Sequence, residues 1–296
     1  TAPTRTTTAA WISFAKGQRA TVVRCDATPP GFEAGARVRV VGAYPNGRTF
    51  AYENFPLCTV PPLPPGSTKA RLVLTTLLAA TSKFPRPDMF KHTAPASFDV
   101  LETWVAYHVK YHHIDYALVY VHGDVETLRA AHEKSKYRDK IRFVDFDHEP
   151  FVSELSEQPV AQTSAIHRNR GRVQWMIMID TDEFLYTGGT PRGLHDVLDD
   201  PYLADVTQVY QLLSHNKWYA SHADQFVKNF QPPPDIKLVD FVYSAFQSND
   251  NRAKAVPNVD LAENYDVHQC VLWRAGTRNT WLHPSVGFFA HFHNTR

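Results

Sequence analysis

Three carboxylates, Asp180, Asp182 and Glu183, follow directly on the apolar run Trp175-Met-Ile-Met-Ile179. A continuous apolar run of that kind reads as a strand buried on both faces of a parallel or mixed sheet. Open α/β sheets bind ligands just beyond the carboxyl ends of their strands, so these carboxylates would stand at the mouth of a crevice. On extended backbone, side chains two apart point the same way. Asp180 and Asp182 are therefore expected to converge on one cation, with Thr181 facing elsewhere. Hard oxygen ligands suit Mg²⁺ or Mn²⁺, and such an ion commonly joins a carboxylate to a phosphate. The plain alternative is a strand end whose carboxylates are simply solvated.

The elements that must position this stretch can be followed along the chain. Thr1–Ala10 is Thr-rich without a hydrophobic period, so residues 1–17 read as a tail or linker. Arg19–Arg24, Ala36–Ala43 and Arg48–Glu53 are short β-branched or aromatic segments separated by turn signals such as Tyr44-Pro-Asn-Gly47. They predict a small all-β module over residues 18–60. Cys25 and Cys58 flank it, either as a disulfide suited to a secretory compartment or as two ordinary thiols, while Cys270 reads as buried and inert. Pro61-Pro-Leu-Pro-Pro-Gly66 is stiff, and residues 61–68 form the linker to an α/β domain over residues 69–296.

In that domain strands and helices alternate. Lys69–Leu78 opens as a buried strand, and Thr81–Ala96 reads as a loop over the crevice. Ser97 caps a helix from Phe98 to about His112, with Leu101, Trp104, Val105 and His108 at helical spacing. A strand at Ala117–Val121, a helix over Val125–Tyr137, a strand at Ile141–Phe146 and a helix around Gln158–Arg170 lead to the acidic strand. Thr190-Pro191 is expected to open another helix, and Asp205–Leu213 a further strand. The alternation implies βαβ units and a mainly parallel sheet.

Composition excludes several classes. A net charge of +1 gives no reason to expect a nucleic acid partner, and no basic stripe with interleaved aromatics is present. No stretch approaches the roughly 20 apolar residues of a membrane span, and no secretory leader is visible. The first residue is Thr, not Met, so any membrane attachment is expected through a segment outside this sequence.

Four motifs in order resemble glycosyltransferase family 92. They are Glu102-x-Trp104-x-x-Tyr107-His108, Gln162-x-x-Ala165, Trp175-x-x-x-x-Asp180-x-Asp182-Glu183-Phe184, and Lys254-Ala-Val-Pro257 followed by His268. The similarity spans roughly Lys69 to His293. His167-Arg168 stands where the family often has Cys before the Arg, and Asp240-Phe241 where it often has Glu-Arg; these departures bear on the acceptor more than the fold.

The resemblance implies a GT-A fold, a nucleotide-sugar-binding α/β sandwich whose D-x-D holds a divalent cation on the donor diphosphate. Some plant members carry an additional β domain before the catalytic one. The implied reaction moves a sugar, galactose first among candidates, from a UDP-sugar to a glycan acceptor with inversion, in the Golgi lumen as the soluble part of a type II membrane protein. Asp180 and Asp182 would hold Mn²⁺ or Mg²⁺, with His268 as third ligand and His291 and His293 competing for that role. Lys254 or Arg252 would meet phosphate oxygens. Inversion requires a general base opposite the leaving diphosphate; Asp240 occupies the position of the family's acidic residue, with Asp250 and Glu263 as alternatives. Trp218, Tyr219 and Trp273 are candidates to stack on sugar faces or to pack in the core.

Two other classes compete. Asp180-Thr-Asp182 shares its D-x-D with metal-dependent phosphohydrolases of the haloacid-dehalogenase type, but those continue with Gly-Thr on the first strand. A non-catalytic carbohydrate-binding protein would use the aromatic surface alone.

Overall fold

The computed structural model describes residues 9–12, 22–25, 37–43, 47–56, 66–80, 98–146, 154–188, 190–212, 214–218, 243–246, 254–282 and 286–292. The chain divides into two compact units, Thr1–Pro65 and Gly66–Arg296. In the first, β1 (Ala9–Ile12) pairs antiparallel with β2 (Val22–Cys25), and β3 (Arg37–Ala43) with β4 (Thr49–Pro56). β1 falls inside the stretch expected as a tail. Trp11 lies opposite Val23 and Ile12 opposite Val22, an apolar pairing that the Thr-rich residues before it masked. Cys58 lies outside the described residues, so the expected Cys25–Cys58 bridge does too.

The second unit begins with β5 (Ala70–Ala80), α1 (Phe98–His112), β6 (Tyr116–Gly123), α2 (Val125–His132), β7 (Ile141–Asp145), α3 (Glu154–Asn169) and β8 (Val173–Met178). The four strands form one parallel sheet in the order β7–β6–β5–β8. The mixed α/β architecture with a parallel central sheet expected from the alternation is the one observed. β6 and β8 are buried along nearly their whole length because both of their faces are covered, whereas the edge strand β7 exposes Arg142 and Asp145. Leu72, Leu74, Val119, Val121, Trp175 and Ile177 pack with Leu101, Trp104 and Val105 of α1 and with Val125 and Leu128 of α2. Val73, Leu118, Tyr120, Met176 and Met178 share the other face with Ala161, Ala165 and Ile166 of α3. Each such side chain taken from water contributes about 1.5–3 kcal/mol. The loop expected at Thr81–Ala96 lies outside the described residues.

Beyond β8 follow β9 (Glu183–Tyr186), α4 (Leu194–Leu198), β10 (Val206–Leu212), β11 (Ser214–Trp218), β12 (Tyr243–Phe246), β13 (Lys254–Pro257), β14 (Ala262–Tyr265), β15 (Cys270–Trp273), β16 (Arg278–Trp281) and β17 (Phe288–Phe292). They form the mixed sheets β13–β10–β16 and β12–β11–β17–β9 and the hairpin pair β14–β15. Asn258 bridges to Trp175 and Val259 N–H donates to Gln174 C=O at 2.9 Å, so β8 is joined to the segment that follows β13. That junction brings Lys254 towards the end of β8. The helix expected from Pro191 starts later, at Leu194. Gly193 has φ +60°, a left-handed value that a helix starting at Pro191 cannot contain. Cys270 is buried, and burial pushes its thiol pKa up, in keeping with an inert residue.

Candidate functional site

β8 delivers the acidic residues to the carboxyl end of the parallel sheet. Ile179 N–H still donates to Thr75 C=O of β5 at 3.3 Å, and then the chain turns, with Glu183 N–H donating to Asp180 C=O at 3.0 Å. Asp180–Glu183 is therefore a tight turn and not extended strand. The alternation used to aim Asp180 and Asp182 at one point does not hold here. The turn instead folds Glu183 back onto Asp180, whose N–H donates to Glu183 Oε2 at 2.9 Å.

A lysine closes the cluster from β13. Lys254 Nζ lies 3.3 Å from Asp180 Oδ2 and 3.3 Å from Glu183 Oε2. On the other side, Gln158 of α3 donates its amide N–H to Asp180 Oδ1 at 2.6 Å. Thr181 and Asp182 are nearly buried in the same turn. Burial works against the charge of Lys254, but the Asp180 and Glu183 carboxylates outweigh it and hold its pKa above the ordinary value. In a low-dielectric setting that attraction is far stronger than it would be in water.

Asp180 and Asp182 offer hard oxygen donors of the type a divalent cation takes, and both oxygens of Asp180 already meet N–H donors, Oδ1 from Gln158 and Oδ2 from Lys254. The cluster already holds one cationic group, the Lys254 ammonium, between two carboxylates. Among the described residues no three His, Cys, Asp or Glu side chains gather into a closed metal cage. Mg²⁺ and Mn²⁺ are commonly held by one or two carboxylates, with phosphate and water oxygens completing the shell.

The remaining candidates fall in different places. The side chain of Glu263 is nearly buried beside Arg170 Nη2 at 3.5 Å and Arg274 Nε at 3.8 Å, and its carbonyl accepts from His167 Nε2 at 2.8 Å. Gln158 touches Asp180, whereas His167 and Arg170 touch Glu263. Asp180 thus meets the N-terminal half of α3, and Glu263 meets the residues at and just past its C-terminal end. The Glu263 carboxylate sits with the guanidinium groups of Arg170 and Arg274. His268 follows β14, where its backbone carbonyl lies 3.3 Å from Tyr265 Oη; Tyr265 Oη also bonds Ala255 C=O at 2.9 Å, next to Lys254. His291 of β17 is in register with Glu183 across the β17–β9 pair. Trp218 ends β11, and Trp273 ends β15, partly exposed. Asp240, Asp250, Arg252, Tyr219 and His293 lie outside the described residues.

The sequence profile of glycosyltransferase family 92 matches residues 102–296. The chain belongs to that family. A search among curated proteins returned no match. Among solved structures, the chain is similar to a 4-diphosphocytidyl-2C-methyl-D-erythritol synthase from Anaerococcus prevotii at 14% identity and a TM-score of 0.31, covering 64% of this chain and 70% of that one. A second crystal structure of a synthase of that description aligns at 10% identity and a TM-score of 0.32, covering 67% and 79%.

The family 92 motifs quoted above surround the turn. Trp175 and Ala165 are core residues on opposite faces of the parallel sheet, and Gln162 is buried on α3. Trp104, Tyr107 and His108 of α1 reach the backbone of β9, just behind Glu183. The sequence places Glu183 at the crevice mouth without assigning it a role, and names Gln158 only as the start of a helix. For Glu183 the available signal was its spacing of three from Asp180, which a tight turn brings together; Gln158 carried none.

Proposed function

We propose that this family 92 glycosyltransferase moves a hexose, galactose first among candidates, from a UDP-sugar to a glycan acceptor with inversion. One observation carries the reading: an acidic turn with a buried lysine stands at the carboxyl end of the parallel sheet, where α/β sheets take their ligands. Breaking the bond between a sugar and a diphosphate develops negative charge on the leaving group, and fixed positive charge in a water-poor site lowers that barrier.

Asp180 and Asp182 are the residues that would hold Mn²⁺ or Mg²⁺; when bound, the cation would neutralise charge on the diphosphate oxygens. The chain's own parts orient and compensate. Gln158 fixes one oxygen of Asp180, and Lys254 balances the charge of Asp180 and Glu183. Arg252 is a further candidate for the phosphates, and His268 for a third ligand. Asp240 is the proposed base that takes the proton of the attacking hydroxyl, with Asp250 as the alternative. A Golgi lumen location belongs to the same reading.

The test is a donor panel. Purified protein is incubated with UDP-sugars, Mn²⁺ and oligosaccharide acceptors, and UDP release is followed. Release that rises on adding an acceptor supports the transferase. A phosphohydrolase would release inorganic phosphate, and a carbohydrate-binding protein would bind the acceptor and release nothing.

A further inference from the structure

β9 has β17 along one edge. Its other edge, which includes Glu183 C=O and both polar groups of Leu185, faces no strand among the described residues. Unpaired backbone groups of that kind are costly when buried. Here α1 supplies the partners. Trp104 donates its indole N–H to Glu183 C=O at 2.9 Å, and Tyr107 donates its hydroxyl to Leu185 C=O at 2.8 Å. His112 Nε2 lies 2.7 Å from the same Leu185 carbonyl, and Leu185 N–H donates to His108 Nε2 at 3.3 Å.

The bonds fix both imidazoles as neutral, opposite tautomers. His108 accepts at Nε2, so its Nδ1 carries the proton and donates to Trp104 C=O at 2.8 Å. His112 accepts Leu194 N–H at Nδ1, 3.2 Å, so its proton sits on Nε2. Residues 104, 107, 108 and 112 fall on one face of the helix by their spacing of three and four. That face works as a surrogate strand made of side chains.

We propose that Trp104, Tyr107, His108 and His112 are positioning residues for the carboxylate turn, holding it at the height that chemistry on the donor requires. The bond from Trp104 ends on Glu183 itself, the residue whose side chain meets Lys254 and the Asp180 N–H. A shift of β9 along α1 therefore moves Glu183, then Asp180 and Lys254, as one body. Misplacing a reacting group by about 1 Å costs roughly 100-fold in rate. The inference rests on the reading of the turn as the donor site, and its experiment separates the two.

Tyr107→Phe and Trp104→Phe are made in the full chain. Tyr107→Phe removes a single hydroxyl and leaves His112 on the Leu185 carbonyl, so it serves where the tryptophan variant fails to fold. Two quantities are read: kcat and KM for UDP-sugar turnover, and amide deuterium exchange over residues 180–186 against β6. The expected result is a fall in kcat of about tenfold or more with KM within about threefold. Exchange over 180–186 should quicken while β6 stays at the wild-type rate. An unchanged kcat with a lowered melting temperature makes the bonds scaffolding alone and overturns the proposal, as does unchanged exchange over 180–186. A wild-type protein that turns over no nucleotide sugar defeats the functional reading instead, and the exchange measurement by itself then decides whether α1 holds the turn.

Discussion

The Lys254 ammonium lies 3.3 Å from Glu183 Oε2, and both side chains are almost wholly sealed from solvent, at 3% and 4% exposure. A buried pair of this kind contributes little net stability when intact but leaves a costly charge when halved. Lys254→Met should therefore destabilise the protein by about 3–5 kcal/mol, because Asp180 and Glu183 lose their common counter-charge. Adding Glu183→Gln should recover part of the loss. Urea unfolding of the single and double variants reads both values, and a wild-type midpoint in Lys254→Met would remove the lysine from this role.

The two neutral imidazoles on α1 predict a dependence on acid. Burial, with His112 nearby, lowers the pKa of His108 from 6.5 to about 3. Burial likewise lowers that of His112 from 6.5 to about 4, against its bond to Leu185. Below pH 6.5 the unfolded chain takes up protons that the folded chain refuses. Stability is thus fully present above that pH and is lost as the pH falls towards 4. Between pH 7 and 4.5 the loss should be about 2–5 kcal/mol. Urea midpoints measured across this range should fall; a flat profile would contradict the neutral assignment.

Gly193 meets the end of α1 closely. A Cβ there would lie 2.1 Å from the Tyr111 carbonyl oxygen and 2.6 Å from His112 Nδ1, on a backbone of φ +60°. Gly171 has a similar φ of +74°, but nothing stands within 4 Å of its Cβ position. Gly171→Ala should cost about 1–2 kcal/mol for the left-handed backbone alone. Gly193→Ala should cost about 2–4 kcal/mol because backbone must also move. Equal melting temperatures for the two variants would show that the close approach does not matter.

Asp240 carries the expectation of general-base catalysis. Asp240→Asn should lower kcat by about 10²–10⁴-fold. Donor affinity should stay near wild type, since the base acts on the acceptor side. NMR of the product reports the stereochemistry separately: a β-linked sugar from an α-linked donor is expected, and an α-linked product would rule out a single displacement.

The parts of this protein that were legible in its sequence are those governed by local pattern. The apolar run Trp175–Ile179 marked a doubly covered strand, and Ser97 with its periodic Leu101, Trp104, Val105 and His108 marked α1 from Phe98 to His112. What local pattern could not supply was the partner of each polar atom. Helical spacing placed Trp104 and His108 on the core face, yet their ring nitrogens serve the backbone of β9 some 75–80 residues later. Asp180 and Asp182 were read as alternating along a strand, but the last sheet bond falls at Ile179, and the turn beyond it brings Glu183 to Asp180. Lys254 reaches the cluster because the chain after β13 joins β8 through Asn258 and Val259, a long-range pairing without a local signature.

The central claim is that the acidic turn binds the donor diphosphate through a divalent cation. Titration calorimetry of UDP, with and without Mn²⁺, on wild type and on Asp182→Asn tests it most directly. The account predicts that Mn²⁺ tightens UDP binding to the wild type by about tenfold or more, 1.4 kcal/mol per factor of ten, and that Asp182→Asn loses this gain while keeping the wild-type melting temperature. UDP affinity that is the same with and without Mn²⁺ in both proteins would contradict it.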